Sequence, residues 1–252
     1  MAEQKSRIKR GKVLLGTSGW TYEHWKERFY PPKLAKTRWF EYFAAHFDTV
    51  ELNASFYRIP TQKATKSWNA RSPQNFRFSI KMSRLITHIK KLQNCENELQ
   101  WFFSVFEPLQ EKISVYLIQL PPNLKFDLQR LDNFLQQLPP HNRYALEFRN
   151  PAWYDNQTYQ LLRSYDAIFC IHDMEGMKTE RVITSSDVYL RFHGHQALYG
   201  GDYPDEELER WAGWIASLSR EGKGVMGYFN NDLEGYAVKN CTHLKELVAK
   251  RL

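Results

Sequence analysis

A repeated alternation of short apolar segments with amphipathic ones constrains this sequence most. Eight segments have the length and apolar content of buried strands, at residues 13–20, 49–53, 76–82, 113–120, 144–153, 167–173, 188–194 and 224–231. Seven others place apolar residues at helical spacing, at residues 39–47, 61–73, 94–108, 127–139, 155–164, 205–220 and 235–249. Strands that are apolar on both faces are typical of a parallel sheet covered by helices.

This alternation predicts an α/β fold, a single (β/α)8 TIM barrel. Eight β/α units in 252 residues match the usual size of that barrel. A doubly wound open sheet is the alternative, but no glycine-rich phosphate turn follows the first strand. Only residues 174–186 separate the sixth and seventh strands, so a short or missing helix is expected there. We therefore predict a basic tail at residues 1–12 and one barrel domain at residues 13–252.

The tail carries much of the charge. It has five basic side chains against one carboxylate, so four of the seven net positive charges lie there. Such a tail is either a solvated terminus or a weak contact for nucleic acid or another polyanion. The remaining chain is only mildly basic.

The three cysteines, Cys95, Cys170 and Cys241, are odd in number and lack metal-like spacing. This usage indicates a reducing compartment. The first apolar run is too short for a signal peptide, and no stretch is long and apolar enough to cross a membrane. The sequence thus predicts a cytoplasmic protein with no membrane partner.

Polar or aromatic residues stand at the carboxyl end of every predicted strand, where TIM-barrel active sites lie. They are Ser18, Trp20, Glu51, Asn53, Lys81, Gln119, Glu147, Arg149, His172, Asp173, Arg191, His193, Asn230, Asn231 and Asp232. Most are of types usually excluded from cores. Their convergence on one mouth predicts a functional ring.

Within this ring, Glu51, Glu147 and His193 are the predicted catalytic residues, for acid–base work. Two structural alternatives stay open. Glu51 could simply pair with Lys81 on the neighbouring strand, and Glu147 could be held by Arg149 in an internal ion pair.

Three cations, Lys81, Arg149 and Arg191, suit a phosphate or carboxylate group. The sequence therefore predicts a small anionic or phosphorylated ligand. The other predicted substrate-binding residues at the strand ends are Ser18, Trp20, Asn53, Gln119, Asn230 and Asn231.

A divalent metal is a possible cofactor. Glu147, Asp173 and His193 end three consecutive strands and could hold the ion, with Glu51 or Asp232 completing its coordination. The alternative is a His–carboxylate network without metal. The loop at residues 193–204 includes His195 and could bind phosphate, act as a lid or serve as a simple connection.

Two carboxylates also allow a glycosidase-like hydrolase that uses Glu51 and Glu147, although they lie three strands apart. No P-loop, dinucleotide fingerprint, serine nucleophile elbow or zinc-finger spacing is present in the sequence.

Seven stretches together resemble the YecE-like family, long labelled a domain of unknown function (number seventy-two). They are residues 16–20, 29–31, 49–57, 119–121, 147–149, 191–194 and 229–232. The resemblance implies a TIM barrel, gives no established activity and adds Tyr57 to the candidate substrate-binding residues. The family's Arg-His-Pro-Ser-Trp run is Arg-Asn-Pro-Ala-Trp here, at residues 149–153, so this chain has neither the histidine nor the serine of that run.

The leading hypothesis is an enzyme that acts on an anionic, phosphorylated or nucleic-acid-derived substrate at the barrel mouth. Its reaction would be a phosphodiesterase- or nuclease-like hydrolysis, or a sugar-phosphate isomerisation or lyase step. The alternative is a non-catalytic protein that binds a ligand or nucleic acid with the same mouth and the basic tail.

Overall fold

Eight parallel strands close into one barrel, in the order β1 to β8 with β8 paired to β1. The computed structural model describes residues 9–174, 176–177, 179–194 and 199–252. The strands are β1 Val13–Thr17, β2 Thr49–Leu52, β3 Arg77–Lys81, β4 Ile113–Leu120, β5 Tyr144–Phe148, β6 Ile168–Asp173, β7 Asp187–Phe192 and β8 Gly224–Phe229. The predicted TIM barrel is confirmed, and the open-sheet alternative is wrong.

Helices surround the barrel in the predicted order. They are α1 Trp39–His46, α2 Ala54–Tyr57, α3 Gln62–Arg71, α4 Glu96–Phe106, α5 Leu128–Leu135, α6 Asn156–Ser164, α7 Asp205–Arg220 and α8 Tyr236–Ala249. Side-chain caps fix three of their starts, because Thr61, Asp127 and Asp155 accept hydrogen bonds from backbone N–H groups at the beginning of α3, α5 and α6. In the described part of the β6–β7 connection there is no helix, as the short spacing predicts.

Two elements at the carboxyl end of the barrel are not evident from the helical periodicity. The four-residue helix α2 follows β2 directly, and one turn of π-helix, Leu85–Ile89, follows β3. Ser55 in α2 donates from Oγ to the carbonyl oxygens of Leu52 (2.8 Å) and Lys81 (2.7 Å). These bonds fix α2 across the ends of β2 and β3, beside the mouth.

The core has two layers because strand side chains alternate between faces. The larger layer lies between strands and helices. The smaller fills the barrel with Leu14, Val115, Leu117, Ala145, Ile168, Cys170, Tyr189, Met226 and Tyr228. Tyr228 OH lies 2.8 Å from both Thr49 Oγ1 and Ser79 Oγ. The barrel is thus closed by packed side chains below the mouth.

None of the helices in the described residues is long and apolar enough to cross a membrane. The three cysteines are buried and unpaired.

Candidate active site at the barrel mouth

Arg191 lies at the centre of a polar layer, above the core side chains that fill the barrel. It is two residues beyond Tyr189 on β7, so its side chain also points into the barrel. Only 1% of Arg191 is exposed. Its Nε donates to Glu51 Oε2 (3.0 Å), its Nη2 to Glu51 Oε1 (2.8 Å) and its Nη1 to Glu147 Oε2 (2.7 Å). One guanidinium therefore joins the two predicted catalytic carboxylates.

Both oxygens of Glu51 are fully engaged. Besides Arg191, Ser18 Oγ donates to Oε1 and Tyr189 OH donates to Oε2, each at 2.7 Å. Four donors match the usual capacity of a carboxylate, and the side chain is completely buried. The alternative pairing of Glu51 with Lys81 is wrong: its cationic partner is Arg191.

Glu147 is held between two arginines and is also fully buried. Gln119 Nε2 donates to Oε2 (2.9 Å), beside Arg191. Arg149 Nη2 is 2.5 Å from Oε1, an ion-pair contact, although no directional hydrogen bond from the described residues reaches this oxygen. The internal Glu147–Arg149 ion pair considered from the sequence is therefore present.

The charges around Glu147 keep it ionised. Burial raises the pKa of its carboxyl, but the Arg149 and Arg191 charges outweigh burial and hold this pKa well below the usual range. Burial lowers the pKa of Arg191, and Glu147 and Glu51 reverse this, so the pKa of Arg191 lies well above its ordinary value. A glycosidase acid needs a raised pKa and a proton to donate. The geometry does not favour the glycosidase alternative.

His193 contacts the same network as a neutral ring. Burial, followed by the Arg191 charge, lowers the pKa of His193 to about 3. Arg149 Nη2 lies 3.0 Å from His193 Nε2, and Glu147 Oε1 lies 3.4 Å from it. Because a guanidinium only donates, Nε2 accepts from Arg149, while Nδ1 lies 3.2 Å from Asn230 Nδ2.

His172 is a second buried histidine in this layer, and its side chain faces Glu147. Its Nδ1 is 3.9 Å from Glu147 Oε1, too far for a hydrogen bond. Neither ring nitrogen has a hydrogen-bond partner in the described part of the chain. Burial lowers the pKa of His172 to about 4, which makes it neutral at pH 7.

Lys81 differs from the other charged residues in the mouth. It is 7% exposed, and within the described ranges its ammonium has no hydrogen bond or ion pair. Nζ lies 4.1 Å from the ring centroid of Phe56, in α2. Burial, then the Arg191 charge, lowers the pKa of Lys81 to about 7, against the opposing effect of Glu147 and Glu51.

The remaining predicted substrate-binding residues lie outside the buried network of Arg191. Asn53 and Asn230 meet at the mouth, with Asn53 Nδ2 3.5 Å from Asn230 Oδ1. Half-buried Trp20 packs on Phe40 and Trp68, with ring centroids 5.0 and 5.6 Å away. Tyr57 is 74% exposed.

Asn231 does not face the barrel interior. Its Nδ2 donates to Gly201 O and Asn240 Oδ1, each at 2.9 Å. It is completely buried and ties the end of β8 to the preceding loop and to α8. Its neighbour Asn230 is the one that reaches the site.

The predicted metal set is not assembled. No group of three or more His, Cys, Asp or Glu within the described ranges is arranged to hold a metal ion. Alternation explains why: Asp173 follows His172 on β6, so it points outward while Glu147 and His193 point inward. Asp173 and Arg181 line a small outer cavity, and Asp173 adds to the effect of burial that raises the pKa of Tyr203. His195 lies outside the described residues.

Tyr189 is not among the site residues predicted from the sequence. Both His172 and Asp173 are predicted for the ring, with Asp173 as the metal ligand, whereas the inward residue on β6 is His172. The signal for Tyr189 was available, because Tyr189, Arg191 and His193 recur at two-residue spacing and must share a face. For β6 no such signal exists, since its residues are buried on both faces.

A larger cavity, about 710 Å³, lies outside the barrel wall beside α7 and α8. Six of its charged or titratable lining residues form three pairs: Lys239 with Asp202, His243 with Asp205 at 3.4 Å and Arg28 with Glu234 at 3.4 Å. In the mouth, by contrast, two guanidinium groups balance two carboxylates and Lys81 remains in addition. The mouth is therefore the better candidate site.

Comparison with known proteins assigns the chain to a family. UPF0759 protein YunF of Bacillus subtilis is 26% identical over 94% of both chains. UPF0759 protein YecE of Escherichia coli is 29% identical over 56% of this chain and 50% of its own length. The crystal structure of a DUF72 family protein from Thermotoga maritima superposes with a TM-score of 0.85 and 29% identity, over 94% of this chain and 99% of that one.

Residues 14–252 match the family described as "Protein of unknown function DUF72". This range contains all of the barrel except the first residue of β1, and every residue of the mouth. The chain belongs to the DUF72 family.

Proposed function

We propose that this protein is an enzyme that binds a small anionic, phosphorylated substrate at the carboxyl-terminal mouth of its barrel. One observation carries the proposal: the ammonium of Lys81 faces the mouth without a carboxylate partner in the described residues. A buried ammonium with no counter-charge is costly. An anionic ligand would supply the missing charge.

The groups around Lys81 support the choice of an anion. Arg149 lies at the same mouth with 12% of its side chain exposed, and its Nε has no hydrogen-bond partner in the described residues. Asn53 Oδ1 also lacks one. Lys81 and Arg149 would hold the anion, while Asn53 and Asn230 would orient the polar groups attached to it.

The carboxylates have a different role in this proposal from the one predicted. Glu51 accepts four hydrogen bonds and Glu147 is held ionised by two arginines, so neither is available as a general acid. We infer that both are positioning residues: they fix Arg191 and Arg149. His193 is neutral, and its Nε2 accepts from Arg149 Nη2 at 3.0 Å.

The proposal for catalysis rests on the location of the site. Active sites of TIM-barrel enzymes lie at this end of the barrel, on groups from several strands. Here Glu51, Lys81, Glu147 and Arg191 come from β2, β3, β5 and β7. A lysine with its pKa at about 7 also has the protonation state needed for acid–base chemistry at neutral pH.

Calorimetric titration with sulfate tests the binding step, because sulfate does not change charge between pH 6 and 9. Affinity should fall about tenfold or more over this range, as Lys81 loses its proton. The charged or titratable groups facing Lys81 are Glu51, Glu147, Arg149, Arg191 and His88. Of these, His88 has its pKa lowered, first by burial and then by the Lys81 charge, to about 4, below this range.

Two lysine variants, one at the site and one control, are compared in the sulfate titration. Lys81→Met should weaken sulfate binding at pH 6 about tenfold and remove its pH dependence. Lys112 is equally buried, but donates to Asn69 O, Ser72 O and Ser72 Oγ at 2.9 Å, at the opposite end of the barrel. Lys112→Met should lower stability and leave sulfate affinity unchanged. Equal sulfate affinity in wild type and Lys81→Met would overturn the binding proposal.

Turnover is tested separately with phosphate monoesters, phosphodiesters and sugar phosphates, with and without a divalent metal. Wild type should convert at least one class, and Lys81→Met should lose that activity. If the protein bound these compounds tightly but converted none of them, it would be a binding protein and not an enzyme. A role for nucleic acid rests on the tail, whose residues 1–8 lie outside the described residues.

A further inference from the structure

We propose that Lys81 is a nucleophile that forms an imine with the carbonyl carbon of a small anionic aldehyde or ketone. This inference rests on the proposed function, since the anion-binding mouth would bring the substrate to Lys81. It goes further by naming the reacting atom, Lys81 Nζ, and the reacting group of the substrate.

The position of Lys81 supports a reactive role. Its main-chain carbonyl accepts from Ser55 Oγ at 2.7 Å, so the end of β3 is fixed by α2. Its Nζ lies over the Phe56 ring, at 4.1 Å from the centroid. The amine is therefore held at the mouth, against an apolar surface, and no acceptor in the described residues occupies it.

The surroundings make the neutral amine accessible at physiological pH. A lysine is nucleophilic only when it has lost its proton. An ordinary lysine, with its pKa near 10.4, is neutral in only about one molecule in 2,500 at pH 7. With its pKa lowered to about 7 by burial and Arg191, Lys81 is neutral in roughly half of the molecules at this pH.

The alternative role as a structural lysine lacks the contacts that such a role needs. Lys112 shows what a structural buried lysine looks like in this chain, with three acceptors at 2.9 Å. The Lys81 ammonium instead contacts the aromatic ring of Phe56. A cation–π contact alone contributes about 0.5–2 kcal/mol, which does not offset the desolvation of an ammonium group.

The chemical step is balanced without a further reagent. The Lys81 nitrogen forms a bond to the carbonyl carbon, and the carbonyl oxygen leaves as water with both hydrogens of the neutral amine. The product is an imine and one water, and nothing is oxidised or reduced. Arg149 would bind the carboxylate or phosphate of the same substrate, which places its carbonyl near Lys81.

Reductive trapping tests the proposal. Wild type is mixed with glyoxylate or glycolaldehyde phosphate and cyanoborohydride, and the modified lysines are located by peptide mass spectrometry. Glycolaldehyde serves as the neutral probe. Lys81 should be modified at least about tenfold faster than an exposed lysine such as Lys125, and faster with the anionic probes than with the neutral one. The two anionic probes distinguish a carboxylate from a phosphate substrate.

Two controls separate the imine from anion binding. Lys81→Arg keeps the charge, so it should retain sulfate binding but lose trapping at residue 81. Sulfate should also protect Lys81 in wild type, a measurement that needs no variant to fold. Sulfate binding that depends on Lys81, together with no preferential trapping there, would overturn the imine and leave the proposed anion site intact.

Discussion

Arg191 and Glu51 form a two-pronged ion pair inside the barrel, with Nε–Oε2 and Nη2–Oε1 distances of 3.0 and 2.8 Å. They come from β7 and β2, which are not neighbours in the sheet. The remaining guanidinium nitrogen of Arg191, Nη1, donates to Glu147 on β5. This arginine thus links three strands through side chains alone.

Arg191→Met should lower the free energy of unfolding by about 3–5 kcal/mol, because it leaves two buried carboxylates without their shared cation. Urea unfolding measures this loss. Arg71 provides the matched control, since it pairs with Glu41 near the surface, where both side chains are about a third exposed. Arg71→Met should cost about 1 kcal/mol or less. Similar losses in the two variants would contradict the central role of Arg191.

Glu147 should make the protein less stable in acid. Its pKa in the folded state is lowered, so its stabilising contribution is present above the unfolded value, about pH 4.3, and is lost as the pH falls below it. Urea unfolding between pH 3 and 6 should show wild type losing stability more steeply than Glu147→Gln. Exposed Glu206→Gln should follow wild type. Parallel curves for all three proteins would contradict the prediction.

Lys81 should affect stability at the opposite end of the pH range. Its pKa is about 7 in the fold and near 10.4 in the unfolded chain, so between these values the unfolded state binds more protons. This residue therefore makes the protein more stable as the pH rises from 7 to 9. Lys81→Met should be more stable than wild type at pH 6, and this advantage should shrink toward pH 9. Guanidinium unfolding of both proteins at the two pH values measures it; an advantage independent of pH would argue against a buried titrating amine.

His172→Leu should raise the free energy of unfolding by about 1 kcal/mol, because it removes two buried nitrogens that lack hydrogen-bond partners in the described residues. Thermal and urea unfolding measure the change. Asn240 is the contrasting control: it accepts from Asn231 (2.9 Å) and donates to Asp202 (2.7 Å). Asn240→Leu should therefore cost about 2 kcal/mol. Destabilisation by His172→Leu would mean that its ring is held by contacts other than hydrogen bonds.

Much of the mouth was predictable because barrel strands end where active sites lie. Glu51, Lys81, Glu147, Arg191 and His193 were all named from strand ends, and the structure brings them into one layer. Which cation pairs with which carboxylate was not predictable. Lys81 is on the strand next to Glu51, yet Glu51 pairs with Arg191, because a long guanidinium reaches across the barrel and matches a carboxylate in two places.

The barrel follows from the sequence pattern alone, since apolar strands that alternate with amphipathic helices bury both faces in few other ways. The same pattern also predicts that charged groups crowd one end. Their partners depend on the folded chain. Partners from distant strands determine which charges are neutralised. The orientation of β6, whose residues are buried on both faces, places His172 inward and Asp173 outward. In the closed barrel Glu51 and Glu147 pair with the two arginines, and Lys81 lies over the Phe56 ring.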